Sequence, residues 1–563
     1  MATPIPTNRA SFELPDVALA TNGNIRIHGP RPKEPAVGVV SDTRAVTPNS
    51  IFFALRGETH DGHDFLAKAV DGGASIVVVE RGRAGAVPNT VSVVEVEDTL
   101  VAWGALAGAY LQRWRAESMV GRVVAITGSA GKTTTKELTA ALLAEIAPTH
   151  FTAGNLNNRV GVPAVIFALE PQHRYCVLEM GMSLKGELDA ICAFARPDVA
   201  VVVNVGVAHA EGVGGREGVM REKGAVYRAL DKYGVAIVNA DDAFVRRAAR
   251  SARVRKVETF GRGDLGAPER PRGSFAPPPI FTHEPSMAPT SLVREGSALS
   301  SSPAGGRRAK TRSAPPGPPR GSAREEVREE VREEAPMSLP PMSVPPAEIL
   351  ASAPPHYRLV KRVPEGTGSR VVITCAGREV AVHLPVPGEA AAIDLTAALA
   401  AQEAASRQLL DADAIERALG RVSLSGRGDV RTIRDDVLVI DDTYNANPSS
   451  MRAGLATLAE IAGETRRKVA VLGEMKELGA LAEAEHEALG DDIVNAGVAL
   501  AIGCGGLIDL ALERAEAQGV EVVRASTTEE AAREAAARVK PGDAVLVKGS
   551  RSVGAEKVVA ALA

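Results

Sequence analysis

The stretch Val123–Thr139, VVAITGSAGKTTTKELT, constrains this chain more than any other. An apolar, β-branched run enters a loop of small residues, Gly128, Ser129, Ala130 and Gly131. Lys132, Thr133 and Thr134 follow, and a helix-forming run begins. A strand that ends in a small-residue loop and turns into a helix lets backbone N–H groups approach phosphate, and the helix N-terminus adds positive potential. In such a loop Lys132 reaches the terminal phosphates of a nucleoside triphosphate and Thr133 ligates magnesium. The strict phosphate-loop pattern places glycine five residues before Gly131, where this chain has Ile126. The plain alternative is a glycine-rich strand-to-helix turn without a ligand.

The pattern around this segment is α/β. VVAIT, YCVLEMG, VAVVVNVG and GVAIVNAD are continuous apolar runs separated by helical stretches, as expected of strands buried on both faces of a parallel sheet. Before residue 119, SIFFALRG and ASIVVVERG read as strands, with a helix near Asp64–Asp71 between them, and suggest a small α/β domain. From about Asp429, VLVIDDTYNANP, RKVAVLGEM, VALAIGCGG, VEVVRAS and DAVLVKGSRS alternate with helices at ordinary βαβ spacing, which predicts a doubly wound, Rossmann-like domain. The length of 563 residues accommodates such a multidomain layout. The expected division is 1–118, 119–424 and 425–563. Within the middle part, 264–345 is rich in Pro, Ser, Gly and Arg and carries SAREEVREEVREEAP. Its composition predicts a disordered insertion, with a transient helix over the Glu/Arg run; solvated filler is the commoner reading and a partner tether the rarer one. Beyond it YRLVKRV, SRVVITCAG and REVAVHLPVPG resume as hairpin-like strands, and Ala391–Ser406 and Asp411–Val422 read as helices.

Composition excludes several classes. Net charge is −4 and aromatic residues make up 3%, so neither a phosphate-backbone footprint nor a base-stacking surface is present and no nucleic-acid partner is expected. The four cysteines, Cys176, Cys192, Cys375 and Cys504, lack CxxC spacing, which argues against a zinc site or a disulfide framework. The opening residues have no apolar signal core, and no run approaches the ~18 apolar residues of a membrane span. A cytoplasmic, soluble protein is expected.

Polar residues gather at the predicted strand ends, where open α/β sheets bind ligands. Glu179 ends YCVLEMG, Asn204 and His209 follow VAVVV, Lys223 lies in GVMREKGAVY, Asp441 and Asp442 end VLVIDD, Glu474 ends VAVLGEM, and Lys548, Ser550 and Arg551 end AVLVKGSRS. Glu179 and His209 suit a divalent ion bridging phosphates, although a turn-capping carboxylate and a loop histidine are the plain alternatives. Lys223 by itself reads as a solvated helix lysine. Asp441 and Asp442 are either ligand contacts or N-caps of a helix beginning near Ser449.

Taken together, GSAGKTTT, GNLNNRVGVP, VLEMGM, NVGVAHAEG, DDTYNANPSSMRAG and VLVKGSRS, in this order, resemble the Mur ligases of bacterial cell-wall synthesis. SDTR (Ser41–Arg44), SIFFALRG and DGHDF extend the resemblance to the family's nucleotide-sugar domain. Ile126 fits it too, because the family's loop reads TGxxGKT. The resemblance implies an ATP-dependent amide ligase with a UDP-muramoyl-peptide-binding domain, a central ATPase domain and a C-terminal ligase domain. It implies UDP-N-acetylmuramoyl-tripeptide and D-alanyl-D-alanine as substrates and an acyl-phosphate intermediate; the oligomeric state is not read from the sequence, and a monomer is the expectation. Gly128 to Thr134 would hold the ATP phosphates. Thr133 and Glu179 would hold one Mg²⁺ and His209 would serve a second. Lys223 matches a lysine carbamylated by CO₂. Arg427 and Asp441 would contact ATP from the third domain. Ser41, Arg44 and Asn158 would place the muramoyl peptide, with Tyr444, Asn445, Lys548 and Arg551 near the dipeptide or acyl group. One motif departs: Ala390, Ala391 and Asp394 stand where the family has polar adenine contacts. Competing readings are a ligase adding a single amino acid to a shorter muramoyl peptide or glutamate to folate, and a non-catalytic ATP-binding module.

Overall fold

Every residue of YCVLE and of VAIVN is buried, as are all but the first of RVVAIT, so these runs carry no polar face to turn outward and take central places in a sheet covered on both sides. In this computed structural model, residues 6–27, 34–57, 59–85, 87–88, 90–118, 121–207, 210–263, 354–424 and 426–563 are described. The expected insertion at 264–345 and its Glu/Arg run lie outside them.

The N-terminal part supplies β1 (Ser11–Phe12), β2 (Asn24–Ile27), β3 (Ala36–Val37), β4 (Val39–Val40), β5 (Ser50–Phe53), β6 (Ala74–Glu80) and β7 (Ser92–Val96). β1 pairs with β3, and the rest form a sheet in the order β2-β7-β6-β5-β4, parallel except for β2. The helix expected near Asp64–Asp71 is a 3₁₀ turn, Gly62–Phe65, running into a short helix, Leu66–Asp71. Helix Thr99–Ser118 joins this sheet to the next. Its Trp103 packs edge-on against Phe53 (5.1 Å) on one side and Phe167 (4.9 Å) on the other, and its indole N–H donates to the Val160 carbonyl (3.0 Å), so one apolar core runs through both.

The central sheet comprises β8 (Arg122–Thr127), β9 (Thr149–Phe151), β10 (Tyr175–Glu179), β11 (Val199–Val202), β12 (Val235–Asn239), β13 (Lys256–Gly261), β14 (Tyr357–Glu365), β15 (Gly368–Cys375) and β16 (Arg378–Leu384). The order is β16-β15-β14-β13-β12-β11-β8-β10-β9, parallel from β9 to β14 and antiparallel through the β14–β15–β16 hairpins. After β8 the chain goes first to β9 and β10 on one side and then to β11 on the other. That reversal opens a crevice at the C-terminal end of β8, between the ends of β10 and β11. The alanine-rich helix Glu389–Ser406 packs against helix Lys132–Ala144 in the core on one face of this sheet; the next helix, Ala412–Leu419, is capped by Asp411.

The third sheet comprises β17 (Asp429–Thr432), β18 (Leu438–Asp442), β19 (Lys468–Leu472), β20 (Leu500–Cys504), β21 (Glu521–Ala525) and β22 (Ala544–Lys548), in the order β17-β18-β22-β19-β20-β21. All its pairs are parallel except β17–β18, and a separate apolar core covers each face, which makes it doubly wound. The architecture is therefore α/β throughout. Among the described residues no helix is long and apolar enough to cross a membrane.

Candidate active site

Gly131 turns the chain from β8 into helix Lys132–Ala144. It sits at φ +78°, and a Cβ placed there would lie 2.5 Å from Asp394 Oδ1, so both backbone conformation and space call for glycine. Ile126, at the position where the strict pattern has glycine, is a fully buried strand residue. The loop is braced from β11: Asn204 Oδ1 accepts from the Ser129 (3.0 Å) and Ala130 (2.9 Å) amides, and its Nδ2 donates to the Ala130 carbonyl (3.1 Å). Ser129 Oγ in turn accepts from the Gly206 amide (2.8 Å). Thr134 lines the cavity that the loop opens onto.

Two lysines converge on one atom. Lys132 Nζ (2.9 Å) and Lys223 Nζ (3.0 Å) both donate to the Gly128 carbonyl oxygen. Lys223 is 1% exposed, which overturns its reading as a solvated helix lysine; helix Gly215–Lys223 delivers its last residue beneath the phosphate loop. Burial, reinforced by the neighbouring Lys132 charge, holds the Lys223 ammonium well below the usual lysine range. Burial also lowers Lys132, with Glu179 acting in the opposite sense.

Thr133 Oγ1 donates to Glu179 Oε2 (2.6 Å), and Asn157 Nδ2 donates to Glu179 Oε1 (2.8 Å). A hydroxyl and a carboxylate so placed are hard oxygen donors of the kind magnesium prefers. With only two of them, the remaining positions are left to water and phosphate, the usual arrangement for this ion. The donor set therefore fits Mg²⁺. Among the described residues no group of three or more His, Cys, Asp or Glu forms a further metal centre. His209 lies outside the described residues.

The facing wall comes from the third sheet. Arg427 stacks on the Tyr444 ring (3.7 Å to the centroid), and Arg551 lies 5.5 Å from the same ring. Lys548 Nζ donates to Asp442 Oδ2 (2.6 Å) and to the Asn445 carbonyl (2.9 Å). Burial raises the Asp442 carboxyl against the opposing pull of Lys548. These groups, the phosphate loop and Glu179 line one cavity of about 800 Å³. Neither aspartate caps the following helix: Asn447 does, through a capping box with Ser450, while its Nδ2 reaches across to the Ser129 carbonyl (3.3 Å).

The expected residues are not all assembled. Asp442 faces the cavity, whereas Asp441 turns away to Thr443 Oγ1 (2.7 Å) and Arg431 (3.4 Å). Asn158 lines the cavity, but its Oδ1 is engaged in the turn before the next helix, accepting from the Val160 (3.1 Å) and Gly161 (2.8 Å) amides. Ser41 and Arg44 are not among the cavity residues; Arg44 pairs with Asp42 (2.5 Å) beside the N-terminal sheet. Asn157 and Asn447 were missed. The NLNN and NANP runs advertise asparagine without saying which one faces the site. Asp394, 6% exposed, closes the cavity floor under Gly131 beside the apolar wall of Pro387, Ala390 and Ala391, and burial raises its carboxyl well above the usual range.

Fold and site together define an α/β protein with a glycine-turned loop of the phosphate-binding type opening onto a cavity between two sheets. Three segments match known families: residues 36–111 the Mur ligase family catalytic domain, 126–268 the Mur ligase middle domain, and 426–551 the Mur ligase glutamate ligase domain. The UDP-N-acetylmuramoyl-tripeptide–D-alanyl-D-alanine ligase of Escherichia coli K12 is 31% identical over 526 residues, covering 93% of each chain. The ligase of the same name from Mycobacterium leprae is 31% identical over 550 residues, covering 91% of this chain and 90% of the relative. A crystal structure of MurF from Acinetobacter baumannii superposes with a TM-score of 0.73 at 26% identity, covering 100% of this chain and 99% of that one. This chain belongs to the Mur ligase family, whose members are ATP-dependent amide ligases.

Proposed function

We propose that this chain joins D-alanyl-D-alanine to UDP-N-acetylmuramoyl-tripeptide at the expense of ATP, in peptidoglycan precursor synthesis. The observation that carries the reading is the single cavity in which Lys132, Lys223, Thr133 and Glu179 face Arg427, Tyr444 and Lys548 across two sheets. The terminal carboxylate of the tripeptide attacks the γ-phosphorus of ATP, ADP leaves, and an acyl phosphate forms. The dipeptide amine then attacks the acyl carbon, loses a proton, and phosphate departs from the tetrahedral intermediate.

The first step brings anions together. Two like charges at 4 Å repel by about 4 kcal/mol at an effective dielectric near 20, so the site has to supply positive charge before the bond can form. Lys132 and Arg427 provide it from opposite walls. Thr133 and Glu179 would hold Mg²⁺, with His209 serving a second ion; the metal supplies charge neutralisation at the phosphates. Burial and the Lys132 charge favour the neutral amine of Lys223, whose lone pair is the form that takes CO₂. Formation of the N–C bond with loss of one proton would give a carbamate, an anion that the neighbouring Lys132 charge attracts. Tyr444, Asn445, Lys548 and Arg551 line the approach of the dipeptide. In this reading 1–118 binds the nucleotide sugar through Ser41 and Arg44, 119–424 binds ATP with Asn158 toward the peptide, and 425–563 closes over both; Asp442 takes the cavity position first expected of Asp441.

The test is phosphate release measured with each substrate withheld in turn. Release requiring ATP, UDP-muramoyl-tripeptide and D-Ala-D-Ala together is expected, and it disappears in a folded Lys132→Ala variant. Equal release without the dipeptide would overturn the proposal.

A further inference from the structure

Lys136 is a lysine that packing alone does not explain. Its side chain is 0% exposed, three residues beyond Thr133 on helix Lys132–Ala144. Burying an ammonium costs several kcal/mol unless its donors are satisfied, and methionine would fill the same space without that cost. The ammonium donates to Glu137 Oε1 (2.6 Å) and to the backbone carbonyl of Thr152 (2.7 Å), and lies 5.4 Å from the centre of the Phe151 ring.

The Thr152 contact is the informative one. Thr152, also 0% exposed, directly follows β9, and its Oγ1 accepts from the backbone amide of Glu179 (3.0 Å). The Glu179 carboxylate in turn accepts from Thr133 Oγ1 (2.6 Å). The contacts close a ring: Thr133 to Glu179, Glu179 to Thr152, Thr152 to Lys136, and back along one turn of helix to Thr133. β9 needs such an anchor. It is three residues long and lies at the end of the sheet, paired only with β10.

We infer that Lys136 and Thr152 are positioning residues that set the separation of the two metal-binding groups, Thr133 and Glu179, by tying edge strand β9 to the phosphate-loop helix. Neither lines the cavity. The inference rests on the proposed reading of Thr133 and Glu179 as the magnesium pair. Lys136 holds the strand end, and the Thr152 hydroxyl holds the Glu179 backbone, so loss of either lets the carboxylate drift relative to the hydroxyl.

The test uses the full chain with ADP and Mn²⁺ as the probe, with bound Mn²⁺ counted by electron paramagnetic resonance. Thr152→Val keeps shape and removes the hydroxyl. It is expected to weaken Mn²⁺ binding about tenfold, as outer contacts of metal sites commonly do, while the KM for D-Ala-D-Ala is unchanged. Thr152→Ser restores binding, and Lys136→Met weakens it as Thr152→Val does. If Lys136→Met fails to fold, the Thr152 pair decides. A folded Thr152→Val that binds Mn²⁺ like the parent, or a Thr152→Ser as weak as the valine, overturns the brace and leaves the ligase reading standing. A parent that binds no Mn²⁺ with ADP brings down both.

Discussion

Two buried ionisable residues with opposite displacements mark this site. Lys223 is pushed toward neutrality by burial and by Lys132, and a neutral amine is the form that captures CO₂. Lys223→Ala should lower turnover by about a hundredfold or more, the scale of losing one preorganised charged group. Acetate or formate should restore part of it by occupying the vacated space as a carboxylate, with turnover against added acetate as the measurement. Asp394 is displaced the other way. Its unfolded carboxyl ionises near pH 3.9, while the folded one stays protonated well above that. Below pH ~3.9 both states hold the proton and Asp394 costs nothing. As pH rises from there toward the folded value, the unfolded state alone releases it, so stability falls with pH. Asp394→Asn, which cannot ionise, should match the parent near pH 4 and exceed it in Tm at pH 8. Thermal unfolding of the nucleotide-free protein at both pH values checks the sign.

At the scale of elements, the phosphate loop is where local sequence and distant packing meet. Gly131→Ala must place an L-residue at φ +78° and drive its Cβ into the Asp394 carboxylate. The left-handed backbone alone costs about 1–2 kcal/mol. The variant should lose the thermal stabilisation by MgADP entirely, and its own Tm should drop, both read in one thermal-shift titration. This loop was legible because strand, small residues, lysine and helix are contiguous. The strands of the central and third sheets were legible for a related reason: a run buried on both faces is apolar at every position. The same property concealed Asp441 and Asp442. A strand without alternation does not announce which of two adjacent carboxylates faces the ligand, and pairing with β17 and β22 decides it. Lys223 was misread from its own helix, GREGVMREK, whose polar composition suggests exposure. Its burial is set by the Gly128 carbonyl, 95 residues away in sequence. Adjacent Asn157 and Asn158 part because the turn before helix Gly161–Phe167 takes up the Asn158 amide oxygen, while Asn157 is left to bond Glu179.

At the scale of the molecule, catalysis needs groups on two sheets to meet, and few contacts set that meeting. Asn447 reaches the Ser129 carbonyl at the rim of the cavity. A second bridge lies outside the cavity: Arg362 on β14 holds both oxygens of Glu460 on helix Pro448–Ala462, one at 2.7 Å, with the two side chains only 13% and 18% exposed. A paired guanidinium and carboxylate of this kind fixes orientation as well as distance. Neither residue lines the cavity. Their effect on the reaction has to pass through the relative setting of the two lobes. Arg362→Ala leaves Glu460 half-buried without its partner and frees the third sheet to swing from the phosphate loop. We expect kcat/KM for D-Ala-D-Ala to fall about tenfold, equivalent to ~1.4 kcal/mol of lost positioning, while MgADP binding, supported mainly by the central sheet, changes less. The exchanged pair, Arg362→Glu with Glu460→Arg, should recover part of the loss, because it restores the bridge without restoring either original residue. Small-angle scattering should show the single variant more extended than the parent and the exchanged pair close to it. If the single variant slowed ligation with no change in dimensions, the bridge would matter for local packing and the lobes would be held by Asn447 and its neighbours instead.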